Sequence, residues 1–251
     1  MLKNKLKASL IHFMLSVILV GLTVGSIIFF FFPSLFIGVT DFKAVASIII
    51  SVDLILGPLL TFVVYKKNKK SLKLDLTVIA TIQLTALIYG AYSLYLIHPV
   101  YVTFNIDRFT LVSAKNAEPE TAKLDEFKVS KLTTAKFAYA KTPSNPEEQS
   151  DLLFSIADKG DLDMREEYYE PIKNNLSEIL AKSLDPRLIL KEKNTGKFLA
   201  NNKNDIDRYA FLPLTYLDKD AVIVIDKKTA EPIATLDIDP WNLIKLKESV
   251  K

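Results

Sequence analysis

Three long apolar runs occupy the first hundred residues of this 251-residue chain, and a more polar segment follows them. The runs cover residues 10–32, 42–65 and 74–97. Each is long enough to cross the hydrocarbon core of a bilayer as a helix, which takes roughly 20 apolar residues. The sequence therefore predicts a three-helix transmembrane region at residues 1–99 and one extramembrane domain at residues 100–251.

The lysines of the short loops predict the orientation of these helices. Three lysines precede the first run and five lie in the loop of residues 66–73, whereas residues 33–41 contain no lysine or arginine. Because loops rich in lysine stay on the cytoplasmic side, the N-terminus is predicted inside and residues 100–251 outside. The first run could instead be a cleaved signal peptide. It is longer than the apolar core of such peptides and lacks a small-residue cleavage site, so we expect it to be retained.

The formal charge is distributed unevenly between the two parts. Residues 1–99 hold nine lysines and three aspartates, a net charge of +6, which leaves 23 basic and 26 acidic residues, or −3, for residues 100–251. The basic excess of the first part predicts contact with the lipid bilayer and its anionic headgroups. Because the second part is mildly acidic, no nucleic acid is expected as a partner.

The residue types that carry most enzyme chemistry are scarce. The chain has no cysteine and two histidines, His12 and His98, both at predicted membrane boundaries. A Ser-His-Asp triad or a His/Cys metal site therefore cannot form in the extramembrane domain. Neighbouring acids, Asp161 with Asp163 and Glu166 with Glu167, are interpreted as a solvated face. We expect no enzyme activity, no cofactor and no metal.

The second apolar run carries an acid, Asp53, followed by Gly57 and Pro58. Asp53 lies roughly 18 Å from the lysine loop along a helix, which is near the bilayer midplane. An ionisable group at that depth is costly and marks a functional site by default. Pro58 predicts a kink, because it removes a backbone hydrogen bond. Asp53 could equally be a structural link to Gln83 or Thr85 of the third run, which lie at similar depth.

Two glycines, Gly21 and Gly25, lie four residues apart in the first run. Small residues at this spacing let two helix backbones approach closely in lipid. The pair is interpreted either as internal packing among the three helices or as a docking face for another membrane helix.

The extramembrane domain is predicted to be α+β, with an antiparallel sheet. Apolar and polar residues alternate over residues 100–106, which indicates a half-buried strand, and an apolar run at 109–112 follows. Between them, Asp107 and Arg108 are interpreted as a local ion pair or turn, or as a contact surface. Helices are predicted at residues 146–160 and 171–184, and strands at 210–217, 221–226 and 232–238. Trp241 is expected to pack on the edge of the sheet.

Several segments resemble one known family. Residues 53–61, DLILGPLLT, and residues 65–76, YKKNKKSLKLDL, resemble the signature of the TfpX/TfpZ type IV pilin accessory proteins. Residues 99–109, PVYVTFNIDRF, are similar to that family's motif at the membrane exit, and its strand-rich end closing on a tryptophan resembles residues 212–241. The family typically has Phe at the position of Tyr65 and Gly at that of Asn68.

The resemblance implies a protein of the bacterial inner membrane whose C-terminal domain is periplasmic. Its expected partner is the major type IV pilin, which waits in the same membrane with one apolar helix and an exported head. Direct contact would assist pilin stability, assembly or surface pilus levels. The alternative is a membrane sensor or regulator whose periplasmic domain binds a ligand, although the predicted cytoplasmic segments are too short for an output domain.

Overall fold

The computed structural model describes residues 2–133, 135–195, 198 and 203–249. The chain divides into two compact units. The first, called the helical unit, contains residues 1–32 and 41–98. The second, called the sheet unit, contains residues 33–40 and 99–251.

The helical unit has three helices that are long and apolar enough to cross a membrane, Leu2–Phe31, Phe42–Val64 and Leu72–Ile97. The first is helix α1 and the last is helix α4. The second consists of α2 (Phe42–Ile50), a π-helical segment (Ser51–Leu56) and α3 (Gly57–Val64). The prediction of three N-terminal membrane helices is confirmed. The disturbance expected at Pro58 takes the form of the π-helical segment that ends two residues before it.

The sheet unit is built on seven strands in the order β4-β3-β1-β2-β5-β6-β7. They are β1 (Pro99–Asn105), β2 (Arg108–Ser113), β3 (Lys136–Ala140), β4 (Tyr169–Glu170), β5 (Tyr209–Tyr216), β6 (Lys219–Asp226) and β7 (Pro232–Leu236). Four of the six pairings are antiparallel, while β1 with β3 and β2 with β5 are parallel.

The α+β class is confirmed, but the sheet is mixed where a wholly antiparallel one was predicted. Strands joined by tight turns, such as β1 with β2 or β5 with β6, must be antiparallel. The segments that precede β3 and β5 are long enough to return the chain to the opposite end of the sheet, which permits parallel pairing. Strand β3 itself was not predicted, although Phe137 and Tyr139 alternate with smaller or charged residues there.

The described residues of the sheet unit include the helices α5 (Pro146–Lys159), α6 (Leu176–Ala181), α7 (Pro186–Ile189) and α8 (Pro240–Ser249). Helix α5 begins as predicted, because the Asn145 side chain accepts a hydrogen bond from the Glu147 N–H at 2.9 Å. The helix predicted at residues 171–184 is shorter, since a 3₁₀ turn at Ile172–Asn175 replaces its first part.

The sheet carries apolar cores on both faces. Alternate residues of β5 divide between two clusters: Leu212 and Leu214 belong to one, and Tyr209 and Phe211 to the other. The strand predicted at 100–106 is confirmed as β1, but all residues of β1 are buried, so the prediction that it is half-buried is wrong. The polar residues of this alternating segment, such as Thr103, are buried together with the apolar ones.

Residues 33–40 contribute to the core that contains Leu212 and Leu214. The sequence had predicted that all of residues 1–99 belong to the membrane region. Phe36 is 1% exposed and lies 6.4 Å, ring centre to ring centre, from Phe137. The Lys219 Nζ donates a hydrogen bond to the Thr40 carbonyl at 3.1 Å. The sheet unit is therefore assembled from two pieces of chain that the second and third membrane helices separate.

Candidate functional site

The acid of the second membrane helix lies inside the helical unit. Asp53 belongs to the π-helical segment and is 4% exposed. A π-helical turn closes hydrogen bonds over five residues, as the Gly57 N–H does to the Val52 carbonyl. Such turns occur frequently at functional sites. Asp53 is thus buried in an irregular stretch of a membrane helix.

Gln83 of α4 is the partner of Asp53. Its Nε2 donates to the Asp53 Oδ1 at 3.3 Å and to the Asp53 carbonyl at 3.2 Å. Thr85, the other candidate at this depth, donates instead to the Thr81 carbonyl of its own helix at 2.9 Å. The structure therefore decides between two partners that depth alone left equivalent.

Gly57 makes room for this pair. A Cβ built on Gly57 would lie 2.0 Å from the Gln83 Nε2, a distance that no side chain tolerates. Any residue larger than glycine would therefore displace the Gln83 amide from Asp53. Gly57 and Pro58 affect the site in two ways. Gly57 leaves room for the Gln83 amide, and Pro58 interrupts the regular helix next to Asp53.

Two acceptor atoms of the pair have no hydrogen-bond partner among the described residues. They are the Asp53 Oδ2 and the Gln83 Oε1, both fully buried. Leaving a buried polar atom unpaired costs about 1–3 kcal/mol, so such atoms in a native protein call for an explanation. Because both atoms are acceptors, the site is suited to a hydrogen-bond donor that the described residues do not supply.

A groove of about 740 Å³ opens beside this acceptor pair. Its walls come from α1, from the second membrane helix and from α4, and most of them are apolar, including Ile11, Leu15 and Leu19. One end is lined by Lys7, Lys67, Asn4 and Tyr65, and is called the lysine end below; Asp53 and Gln83 also line the groove.

Two polar contacts hold α1 against α3, and one of them, between His12 and Thr61, lines the groove. The Ser9 Oγ donates to the Pro58 carbonyl at 2.8 Å, and the His12 Nδ1 lies 2.5 Å from the Thr61 Oγ1. Ser9 and His12 are thereby satisfied inside the helical unit. His12, interpreted from the sequence only as a boundary residue, is a packing contact between two membrane helices.

The two glycines of α1 are not part of this site. A Cβ at Gly21 or Gly25 would meet nothing within 4 Å, and both residues are exposed. Internal packing therefore does not account for their spacing. They form an open face of α1, called the glycine face below.

Asp107 and Arg108 belong to the sheet unit and form a local ion pair in the β1–β2 turn. The Arg108 Nε donates to the Asp107 Oδ1 at 2.9 Å, and both side chains are more than a third exposed. The Arg108 guanidinium also lies 4.9 Å from the centre of the Trp241 ring. Trp241 thus packs at the start of a central strand, and the prediction that it covers a sheet edge is wrong.

Glu166 of the sheet unit differs from its interpretation as part of a solvated face. Glu166 is 1% exposed, and its Oε1 accepts a hydrogen bond from the Glu118 N–H at 2.8 Å. Burial raises the pKa of Glu166 to about 7, and the hydrogen bond from Glu118 offsets part of this rise. The side chain anchors the turn at Pro119–Thr121. A solvated-face interpretation is therefore wrong for Glu166.

Acidic and histidine side chains do not cluster in a way suited to a metal. Among the described residues, no group of three or more His, Cys, Asp or Glu side chains is placed to hold a metal ion. The distinguishing chemistry of the described chain is therefore the buried acceptor pair and its groove.

Comparison with known proteins gives three similar sequences, all from Dichelobacter nodosus. No family model and no solved structure matches the chain. The chain is 38% identical over 109 residues to the fimbrial assembly protein of serogroup I and 36% identical over 109 residues to that of serogroup E1. The matched residues make up 42% of each of these two relatives and 43% of this chain.

The third relative is the fimbrial assembly protein of serogroups C1 and C2. The chain is 37% identical to it over 109 residues, and the match covers 83% of that protein and 43% of this chain. An identity of this size over most of a relative's length establishes common ancestry. The chain belongs to the family of these fimbrial assembly proteins.

Proposed function

We propose that this protein acts in the assembly of type IV fimbriae, as an accessory protein of the major pilin in the bacterial inner membrane. The observation that carries the proposal is the family, whose three similar members are named for fimbrial assembly. The resemblance of residues 53–61 and 65–76 to pilin accessory proteins supports the narrower role. The lysine distribution supports a cytoplasmic N-terminus and a periplasmic sheet unit.

The contact with pilin is proposed to involve the membrane helices. Association of helices in lipid depends on close packing at small residues and on hydrogen bonds between helices. The glycine face of α1 provides the first, since Gly21 and Gly25 have no internal neighbour. The Asp53 Oδ2, which has no hydrogen-bond partner among the described residues, provides an acceptor for the second, because Asp53 borders the open groove. A bundle of three helices that acted only as a membrane anchor would need neither the glycine face nor this acceptor.

The test replaces Asp53 in a strain that lacks the native gene. Asp53→Leu should accumulate at the wild-type level, because removing a buried acid eases membrane insertion, while surface pili fall several-fold. The matched control is Thr85→Val, which removes a polar group of similar depth that is satisfied within its own helix. Surface pili, total pilin and the protein itself are quantified in each strain.

Two results would contradict the proposal at different levels. Normal piliation in the strain without any copy of the gene would remove the role in fimbrial assembly. Normal piliation in Asp53→Leu alone would leave that role intact and reduce Asp53 to a structural link. Direct contact is tested with a photoreactive residue in place of Leu22, which is exposed beside Gly21, and in place of Ile82, which is exposed on α4. A pilin crosslink from position 22 is expected, and its absence from both positions would argue against direct contact.

A further inference from the structure

The groove of the helical unit extends over only part of the membrane's thickness. Along α1 its lining runs from Asn4 to Val20, and these residues are sixteen positions apart on one continuous helix. That separation corresponds to about 24 Å at 1.5 Å per residue. One leaflet contributes about 15 Å of hydrocarbon, and about 20 Å with its headgroups. The groove thus spans about one leaflet with its headgroup region, from the lysine end to the depth of Asp53.

The length of the groove and its single charged end restrict what can occupy it. A membrane-spanning helix would need a surface about 30 Å long, which the groove does not provide. Its walls are mostly apolar and its lysines lie at one end. The groove therefore suits one hydrocarbon chain with an anionic headgroup better than a membrane-spanning helix.

The lysine end provides the complementary charge. Lys7 and Lys67 line the groove there, and neither forms an ion pair within the described residues. Asp75, the only acid between residues 66 and 97, is already paired with Lys69 at 2.5 Å. Two uncompensated ammonium groups at the mouth of an apolar groove attract an anionic group carried on an apolar chain.

We propose that the groove binds one acyl chain of an anionic phospholipid from the leaflet at the lysine end, with the phosphate group at Lys7 and Lys67. The chain lies along Ile11, Leu15, Leu76 and Ala80 and ends before the Asp53–Gln83 pair. The phosphate and the acyl chain occupy neither the glycine face nor the position of the Asp53 Oδ2, the two features proposed for pilin, so lipid binding can hold whether or not the protein contacts pilin.

Lipid binding is tested on the full chain purified in detergent, by native mass spectrometry with added phosphatidylglycerol and with phosphatidylcholine of the same acyl chains. The double variant Lys7→Gln/Lys67→Gln should weaken phosphatidylglycerol binding about tenfold or more, because it removes both ammonium groups that line the groove and would bond the phosphate directly. The matched control is Lys66→Gln/Lys70→Gln, which removes the same charge from the same side of the membrane but leaves the groove lining unchanged. Its effect should stay below about threefold.

A second variant tests the acyl chain independently of charge. Ala80→Phe fills the groove and should lower phosphatidylglycerol binding, whereas Val78→Phe, on an exposed position of α4 outside the groove, should not. Equal losses in the two double lysine variants would show general attraction of anionic lipid and would overturn the site. Unchanged lipid binding in Ala80→Phe would also overturn it. If that variant instead lost its pilin crosslinks, the groove would be a helix-docking surface.

Discussion

The two units bury carboxylates in opposite ways. In the sheet unit, the Asp226 side chain is 1% exposed and accepts hydrogen bonds from the Arg208 Nε at 2.5 Å and from the backbone N–H groups of Lys228 and Thr229 at 2.8 and 3.3 Å. In the helical unit, the Asp53 Oδ1 accepts a hydrogen bond from the Gln83 amide, whereas the Asp53 Oδ2 has no hydrogen-bond partner in the described part of the chain. A fully bonded carboxylate stabilises its own turn. A half-bonded one is available to a group from outside the chain.

The units also differ in how the chain assembles them. Each membrane helix of the helical unit is a continuous segment that its own apolar composition specifies. The sheet unit joins residues 99–251 to the short segment 33–40, whose Phe36 and Val39 belong to the core. A fragment that begins near residue 100 therefore lacks part of its core. It should fold less stably than the same unit in the full chain.

The largest expected effect tests that assembly. Phe36→Ala should destabilise the sheet unit by about 3–5 kcal/mol, because it leaves a cavity in a closed core. Phe154→Ala makes the same chemical change at a position that is 86% exposed and should cost less than about 0.5 kcal/mol. Trp241 is the only tryptophan and lies in the sheet unit, so its fluorescence during urea unfolding of the full chain in detergent reports this unit. Equal effects of the two variants would show that residues 33–40 are not part of the folded unit.

A somewhat smaller effect is expected at Glu166. Its pKa of about 7 when folded lies above the ordinary value of 4.5, so the folded state keeps a proton that the unfolded state has lost between those two pH values. The stability of the sheet unit should therefore fall by about 3 kcal/mol from pH 4.5 to 7 and level off above pH 7. The sheet unit contains no histidine that titrates in this range.

Glu166→Gln should remove most of that pH dependence and stabilise the unit at pH 8, because its amide oxygen still accepts from the Glu118 N–H. Burial also raises the pKa of Asp163, so a smaller slope should remain. Urea unfolding followed by Trp241 fluorescence at pH 5 and pH 8 measures both effects. The exposed neighbour Glu120→Gln serves as the control. A wild-type stability that is the same at both pH values would contradict the expectation.

The smallest expected effects come from the same substitution, aspartate to asparagine, made once in each unit. Hydrogen bonds from the Lys228 N–H and from Arg208 lower the pKa of Asp226, so its charged form stabilises the fold above pH 4 and this contribution is lost as the pH falls further. Asp226→Asn should therefore lower the urea midpoint of the sheet unit at pH 7. Asp53→Asn should leave the thermal loss of helical circular dichroism unchanged or shift it upward, since it removes a carboxylate that is only half bonded. A clear loss of helical stability in Asp53→Asn would show that this acid is structural.

Much of the fold follows from patterns within short stretches of sequence. The Asn145 cap begins α5 where it was predicted, and the turns near residues 218 and 228 separate β5, β6 and β7 as expected. These features depend on neighbouring residues alone. Glu166 shows where reasoning from neighbouring residues ends. Two adjacent acids are typical of a protein surface, but the turn at Pro119–Thr121, far away in the sequence, packs over Glu166.

The three long apolar helices, the lysine asymmetry and the place of Asp53 within the second helix follow from short stretches of sequence, because apolar length and charge act residue by residue along the chain. The three-dimensional fold decided that Gln83 rather than Thr85 meets Asp53, that Gly57 leaves room for the Gln83 amide, and that Gly21 and Gly25 face outward. It also decided that residues 33–40 complete a core made by strands far along the chain. These outcomes depend on contacts between residues 30 to 200 positions apart, and periodicity within one segment carries no information about them.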